Sequence, residues 1–219
     1  MMEAIRVIFL SFSIITRFPM HHSFGSKLTA HRFRQFLVVL IFGTTLNPLP
    51  AHAQTQDPVQ RLVERRSCIR CNFSNADLSG LDLQSVNLKG ANLQGANLAG
   101  SDLRGANLRN VTLRLADLTD ANLAGADLSG VYLTRAFMAG TDLSGANLAW
   151  ANLVGADLTD ANLSLADLSY ADLSEANLTN AIAVEANLSS AKLFRADLTE
   201  TDLTDADLTN TIMPDGSTN

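Results

Sequence analysis

From Cys71 to Met213 a large apolar residue recurs every five positions, 29 times without insertion, from Phe73, Leu78 and Leu83 through to Leu208 and Met213. Twenty-five of these centres are Leu, the exceptions being Phe73, Met138, Ala183 and Met213. Ala stands two residues before the centre in 20 units, and Asp or Asn one residue before it in 23. The unit is A-(D/N)-L-x-x. A helix repeats apolar residues at 3.6 and a strand at 2, and a period of five serves neither. On a helix, every fifth residue would wind round the whole surface and leave no buried stripe. A fixed short period predicts a solenoid instead.

The runs ANLQGANLAG (91–100) and ADLTDANLSLADLSYADLSEANL (156–178) resemble the pentapeptide repeat proteins, over about two thirds of the chain. The resemblance implies an all-β fold, a right-handed four-sided parallel β-helix with one unit per side and four per coil. Leu and Ala would face inward and the other three positions outward. With 29 units that gives about seven coils. The carboxylates supply a separate check on the coil length. Stacked coils lie about 4.8 Å apart, so residues one coil apart form ladders in which neighbouring Asp would repel. Of the 12 Asp that directly precede a centre, one pair is 20 residues apart (Asp82 and Asp102), against four pairs at 15 and five at 25. Asp172 and Lys192 would be an opposite pair on one ladder.

Ahead of the array the pattern changes. Residues 1–53 read as a targeting segment: basic HRFRQ (31–35), apolar FLVVLIF (36–42) and LPAHA (49–53), with cleavage expected after Ala53. Translation from Met20 would leave out the earlier apolar run IRVIFLSFSII; a longer signal or a retained anchor are the alternatives. Residues 54–70 read as a lead-in with a capping helix. Asp57 would be the N-cap, Pro58 the first helical position and Gln60 the partner of a weak capping box. Val59, Leu62 and Val63 form an apolar stripe opposite Arg61, Arg65 and Arg66, suited to cover the open end of the first coil. Residues 71–213 are the β-helix and 214–219 a polar tail.

Cys68 and Cys71 keep the five-residue phase and should both face inward. A metal pair, a redox C-x-x-C and a structural disulfide are the three readings. Two thiols do not complete a zinc site, and no βαβ pattern accompanies them. An oxidising compartment favours the disulfide, as does the similar junction of some exported pentapeptide repeat proteins. Gly fills the fifth position ten times from 80 to 155 and never from 160 to 210, so a change of corner type is expected near residue 155. Asp or Asn before each centre can bond nearby backbone.

Charge is uneven. Removing residues 1–53, which hold five of 16 Lys+Arg and one of 22 Asp+Glu, leaves 11 basic and 21 acidic residues, net −10. Residues 61–114 carry eight basic and four acidic side chains, and residues 115–219 three and 16. Arg135, Glu175 and Arg195 share one ladder. All four His lie in the targeting segment (His21, His22, His31, His52). After it, no Ser-His-Asp set, metal cluster or phosphate loop can be assembled, so neither an enzyme nor a cofactor is expected.

Three binding readings remain. The first is an exported structural or interaction scaffold with a protein partner, no nucleic acid, and no membrane in its mature form; the resemblance to exported, cyanobacterial-type members implies periplasm or thylakoid lumen. The second is an acidic rod that mimics DNA and blocks a type II topoisomerase, as some pentapeptide repeat proteins do; a targeting segment opposes it. The third is a Thr column at 119, 159, 179 and 199, interrupted by Ala139. Aromatic residues give the partner hypothesis a place. Trp150 and Tyr170 hold one corner 20 residues apart and should stack. Tyr132 lies diagonally below Trp150, and Phe137 breaks the Asp/Asn rule on the adjoining side.

Overall fold

The computed structural model describes residues 57–219; the expected targeting segment, residues 1–53, and the cleavage expected after Ala53 lie outside the described residues. The chain is a β-helix solenoid. Parallel bridges join Asn72 to Asn92, Asp77 to Asn97 and so on up to Lys192 to Ile212, always 20 residues apart. Each coil therefore takes four units. The residue before each centre is the bridged one, and the sides are too short for longer strands, because two of every five positions are spent on a turn. Backbone bonds run both ways between coils: Leu78 N–H donates to Asn97 O at 2.7 Å, and Asn97 N–H to Ala76 O at 2.9 Å.

The interior follows from the pattern. Leu at the centre and Ala two before it point inward, and from Phe73 to Leu193 every centre is fully or almost fully buried. Burying each Leu contributes about 2 kcal/mol. Small side chains beside the Leu let the facing sides approach. Where a hydroxyl replaces Ala it is satisfied: Ser101 Oγ donates to Leu98 O at 2.7 Å, and Thr141 Oγ1 to Met138 O at 2.7 Å.

The corner is the same throughout. Every fifth residue from Arg70 to Asn210 has φ between 54° and 67°, whether Gly or not. The next residue's N–H returns to the centre's carbonyl, as Ala96 does to Leu93 at 3.0 Å. This is the sign pattern of a type II turn. The expected change near residue 155 does not occur. The loss of Gly there changes the side chain and leaves the turn intact, because ladder bonds on both sides hold φ positive. One steric limit persists. No β-branched residue occupies the positive-φ position, whereas Thr and Val are common one residue earlier. Branching at Cβ is badly tolerated at positive φ. Each Asp or Asn before a centre closes the turn from outside: Asp77 Oδ1 accepts the Ser79 N–H at 3.1 Å, and Asn147 Oδ1 the Ala149 N–H at 3.0 Å.

The two ends are finished differently. Helix α1 (Pro58–Arg65) covers the first coil with Leu62 buried, and Val59 and Val63 packed against the core. Asp57 is its N-cap, accepting the Val59 N–H at 3.1 Å. Gln60 does not complete the capping box. Its amide donates instead to Glu64 Oε1 at 3.1 Å, the neighbour one turn on along the same face. Arg66 belongs to the helix end rather than to its outer stripe. It is the left-handed C-cap, φ 51°, with its N–H on Leu62 O. At the other end residues 214–219 turn back rather than trail away. Ile212 pairs antiparallel with Thr218, and Asn219 N–H donates to Thr211 O at 3.0 Å. Phe194 packs over this turn, 3.6 Å from where a side chain on Gly216 would begin.

Candidate interaction surface

Corner residues one coil apart are direct neighbours, so two aromatic rings at one corner should lie face to face. Trp150 and Tyr170 do. Their centroids are 4.3 Å apart and the planes differ by 3°. Both remain open to solvent, 66% and 52% exposed, as do Tyr132 at 51% and Phe137 at 53%. Tyr132 is bridged to Thr112 and Asn152, and Phe137 to Asp117 and Asp157, so neither joins the stack. Tyr132 opens the side that follows the Trp150 corner; Phe137 opens the side after that. In both units the ring displaces the Asp or Asn that would brace the turn. The site thus consists of one stacked pair, one ring beside it and one ring a side away.

Cys68 and Cys71 form a disulfide across the first corner, Cα to Cα 5.5 Å, against the core. A cavity of about 300 Å³ lies there between α1 and the first coil, lined by Arg61, Arg65, both half-cystines and Phe73. Among the described residues no group of three or more His, Cys, Asp or Glu could hold a metal ion. Among them, too, no helix is long and apolar enough to cross a membrane.

The charged groups sort by coil. At the start, Asp82 and Asp102 are the adjacent like pair, and two arginines offset their repulsion. Arg66 holds both Asp82 carboxylate oxygens at 3.0 Å, and Arg104 holds Asp102 at 2.9 and 2.6 Å. Gln84 Nε2 donates to Asp102 at 2.8 Å. Hydrogen bonding from Arg66 brings the Asp82 carboxyl down to about 2. The same guanidinium donates to Asp82 O at 2.9 Å, covering part of the first coil's open edge. Lys192 and Asp172 pair at 3.9 Å, as their ladder requires. Glu175 and Arg195 share a ladder without an ion pair among the described residues, since the Arg195 guanidinium lies over the Phe194 ring at 5.0 Å. In the last coil the hydroxyls of Thr199, Thr204 and Thr209 lower the carboxyls of Asp197, Asp202 and Asp207. Three of the four residues of the Thr column are consumed the same way. Thr159, Thr179 and Thr199 donate to Asp157, Asn177 and Asp197 at 2.6 Å, so their hydroxyl hydrogens face their own coil.

Sequence reasoning passed over Phe194, and also the exposed apolar residues Leu115, Leu165 and Ile182. Ile182 is visible as a departure from Asp/Asn. Leu115 and Leu165 are visible as bulky residues at the corner position.

The chain belongs to the pentapeptide repeat family: the model of pentapeptide repeats matches it in eight copies, over residues 71–110, 112–148, 141–180 and 171–210. Solved structures similar to it include a pentapeptide repeat protein from the Arabidopsis thaliana thylakoid lumen, 28% identical, covering 50% of this chain and 69% of that one, with a TM-score of 0.41. A pentapeptide repeat protein from the cyanobacterium Cyanothece 51142 is 28% identical over 70% of this chain and 95% of its own, TM-score 0.34. HetL, a pentapeptide repeat protein involved in heterocyst differentiation regulation in Nostoc sp. strain PCC 7120, is 29% identical over 74% and 98%, TM-score 0.26. A comparison with curated proteins finds no match.

Proposed function

We propose that this chain is an exported, non-catalytic scaffold that holds a protein partner on a right-handed four-sided β-helix of about seven coils, about 34 Å long. The observation that carries the reading is the stacked, solvent-facing Trp150–Tyr170 pair with Tyr132 beside it, whereas the exposed aliphatic side chains of Leu115, Leu165 and Ile182 form no such stack. Large exposed rings are the residues that most often anchor protein partners. Phe137 would extend the contact round the adjoining corner. The array offers no histidine, and its two thiols are joined. The Asp residues before its centres brace turns through their neighbours' N–H groups, which is structural work.

The test is a pull-down from envelope or lumen extract with Tyr132→Ala/Trp150→Ala/Tyr170→Ala. Loss of the main partner with an unchanged circular dichroism spectrum supports the reading. A folded variant that recovers every partner contradicts it. For export, mass spectrometry of the purified exported protein should find Gln54 at the N-terminus. A retained FLVVLIF segment would show an anchor instead. The DNA-mimic reading requires an acidic surface throughout, whereas residues 61–114 carry eight basic side chains against four acidic. It would gain ground if the array were found in the cytoplasm and inhibited a type II topoisomerase.

A further inference from the structure

The corner that bears the aromatic stack also carries cations in the coils before it. Its ladder runs Arg70, Gly90, Asn110, Gly130, Trp150, Tyr170. Lys89 and Arg109 stand one residue before this corner, and Arg114 holds the same place at the next corner. All four cations are exposed. Arg109 reaches Asp127 at 3.6 Å; Arg70, Lys89 and Arg114 have no ion pair among the described residues. The glycines leave the track shallow. The Arg70 side chain leans along it to within 3.4 Å of where a Gly90 side chain would start, and Asn110 likewise covers Gly130. At the other end acids flank the rings: Asp167 and Asp172 stand on either side of Tyr170.

We propose that this edge takes an extended protein segment, acidic toward the first coils and carrying aromatic or proline residues toward Trp150 and Tyr170. The inference rests on the partner-binding reading above and adds to it the partner's charge and direction. Five ladder steps from Arg70 to Tyr170 span about 24 Å, the length of about seven extended residues. Cations and rings are separated along the edge rather than interleaved. A single-stranded nucleic acid brings a phosphate and a base at every step and would need both at each level. Here the two rings of the stack cover each other's faces, so no base enters between them, and Asp167, which has no ion pair among the described residues as Asp172 has with Lys192, repels phosphate at that end. A segment with its charge at one end and its apolar groups at the other meets neither obstacle.

The test measures binding of the purified exported protein to a fluorescein-labelled peptide of three acidic residues, a proline and two aromatic residues. The comparison probes are the same peptide with lysines for the acids, and an oligothymidine. The acidic peptide should bind more than about tenfold tighter than either. Arg70→Glu/Lys89→Glu should abolish that preference; Tyr132→Ala/Trp150→Ala/Tyr170→Ala should weaken the acidic peptide while sparing the charge preference. Equal binding of acidic and lysine peptides by the unmodified protein overturns the proposal without any variant, as does tighter binding of oligothymidine. The two readings fail separately. If the aromatic variant loses its partners while the charge variant keeps them, only the charge and direction are wrong. If the aromatic variant keeps them all, the partner face itself is elsewhere.

Discussion

The first coils and the later coils share one backbone and differ in almost everything outside it. Before residue 115 the position after the centre is often charged or amide-bearing: Gln84, Lys89, Gln94, Arg104, Arg109, Arg114. After it that position is mostly Ser, Thr or Ala, and the acids accumulate. The like-charged Asp82 and Asp102 are held by arginines, whereas Asp197, Asp202 and Asp207 are held by the hydroxyls of their own turns. Yet φ at the corner stays between 54° and 67° in both regions. The inward Leu and the interlocked ladder determine the shape, leaving the outward positions free to carry charge, hydroxyls or rings. Information about function therefore lies in departures from the repeat.

If the two regions do share one core, a charge placed inside either should be equally damaging. Leu103→Asp and Leu143→Asp each remove about 2 kcal/mol of burial and bury a carboxylate at a cost of several more. Both should unfold their coils in a thermal melt followed by circular dichroism, while Asn147→Ser, on the outside, changes stability by less than about 1 kcal/mol. A well-tolerated aspartate in one region would break the equivalence. The next effect belongs to the N-terminal end alone. Cys68→Ser/Cys71→Ser opens a short loop and should cost about 2 kcal/mol, seen as earlier loss of protection around α1 in hydrogen exchange.

Charge separates the regions more finely. Asp82 is held down to about 2, below its unfolded value, so its contribution is full above the ordinary carboxylate range and disappears as pH falls through about 2. The carboxyls of Asp197, Asp202, Asp207 and Asp215 are lowered too, so the later coils also weaken in acid. Salt should tell them apart. It screens the exposed Arg66–Asp82 pair and leaves the hydroxyl bonds nearly untouched. Hydrogen exchange near neutral pH should show α1 loosening at high salt while the last coil does not. The most local effect is at a corner. Gly125 has φ 64° and open space where a Cβ would go, so Gly125→Val isolates the backbone strain, about 1–2 kcal/mol. Gly125→Asn should cost less, as asparagine tolerates that region.

Much of this architecture was legible in the residues. The five-residue period fixed which side chains face inward, and the scarcity of Asp pairs at 20 gave the coil length that the bridges show. The Trp150–Tyr170 stack followed from that length, as did the Asp172–Lys192 pair. What failed did so for local reasons. Replacing Gly at the corner after residue 155 looked like a change of turn, but ladder bonds hold the same φ in Leu165 and Tyr170 as in Gly145. Gln60 bonds Glu64, one turn on along the helix, rather than the N-cap. Arg66 looked like part of the outer face of α1; instead it ends the helix and clamps Asp82. The turn at 214–219 gave no apolar signal, because backbone pairing and the ring of Phe194 hold it.

Hydroxyl-radical footprinting of the protein with its captured partner tests the central claim most directly, because the rings at issue are among the most readily oxidised side chains and need no substitution. Oxidation of Tyr132, Trp150 and Tyr170 should fall when the partner is bound, while Phe194 by the terminal turn is unchanged. Unaltered oxidation of the Trp150–Tyr170 stack, with protection around Leu165 and Ile182 instead, would contradict it.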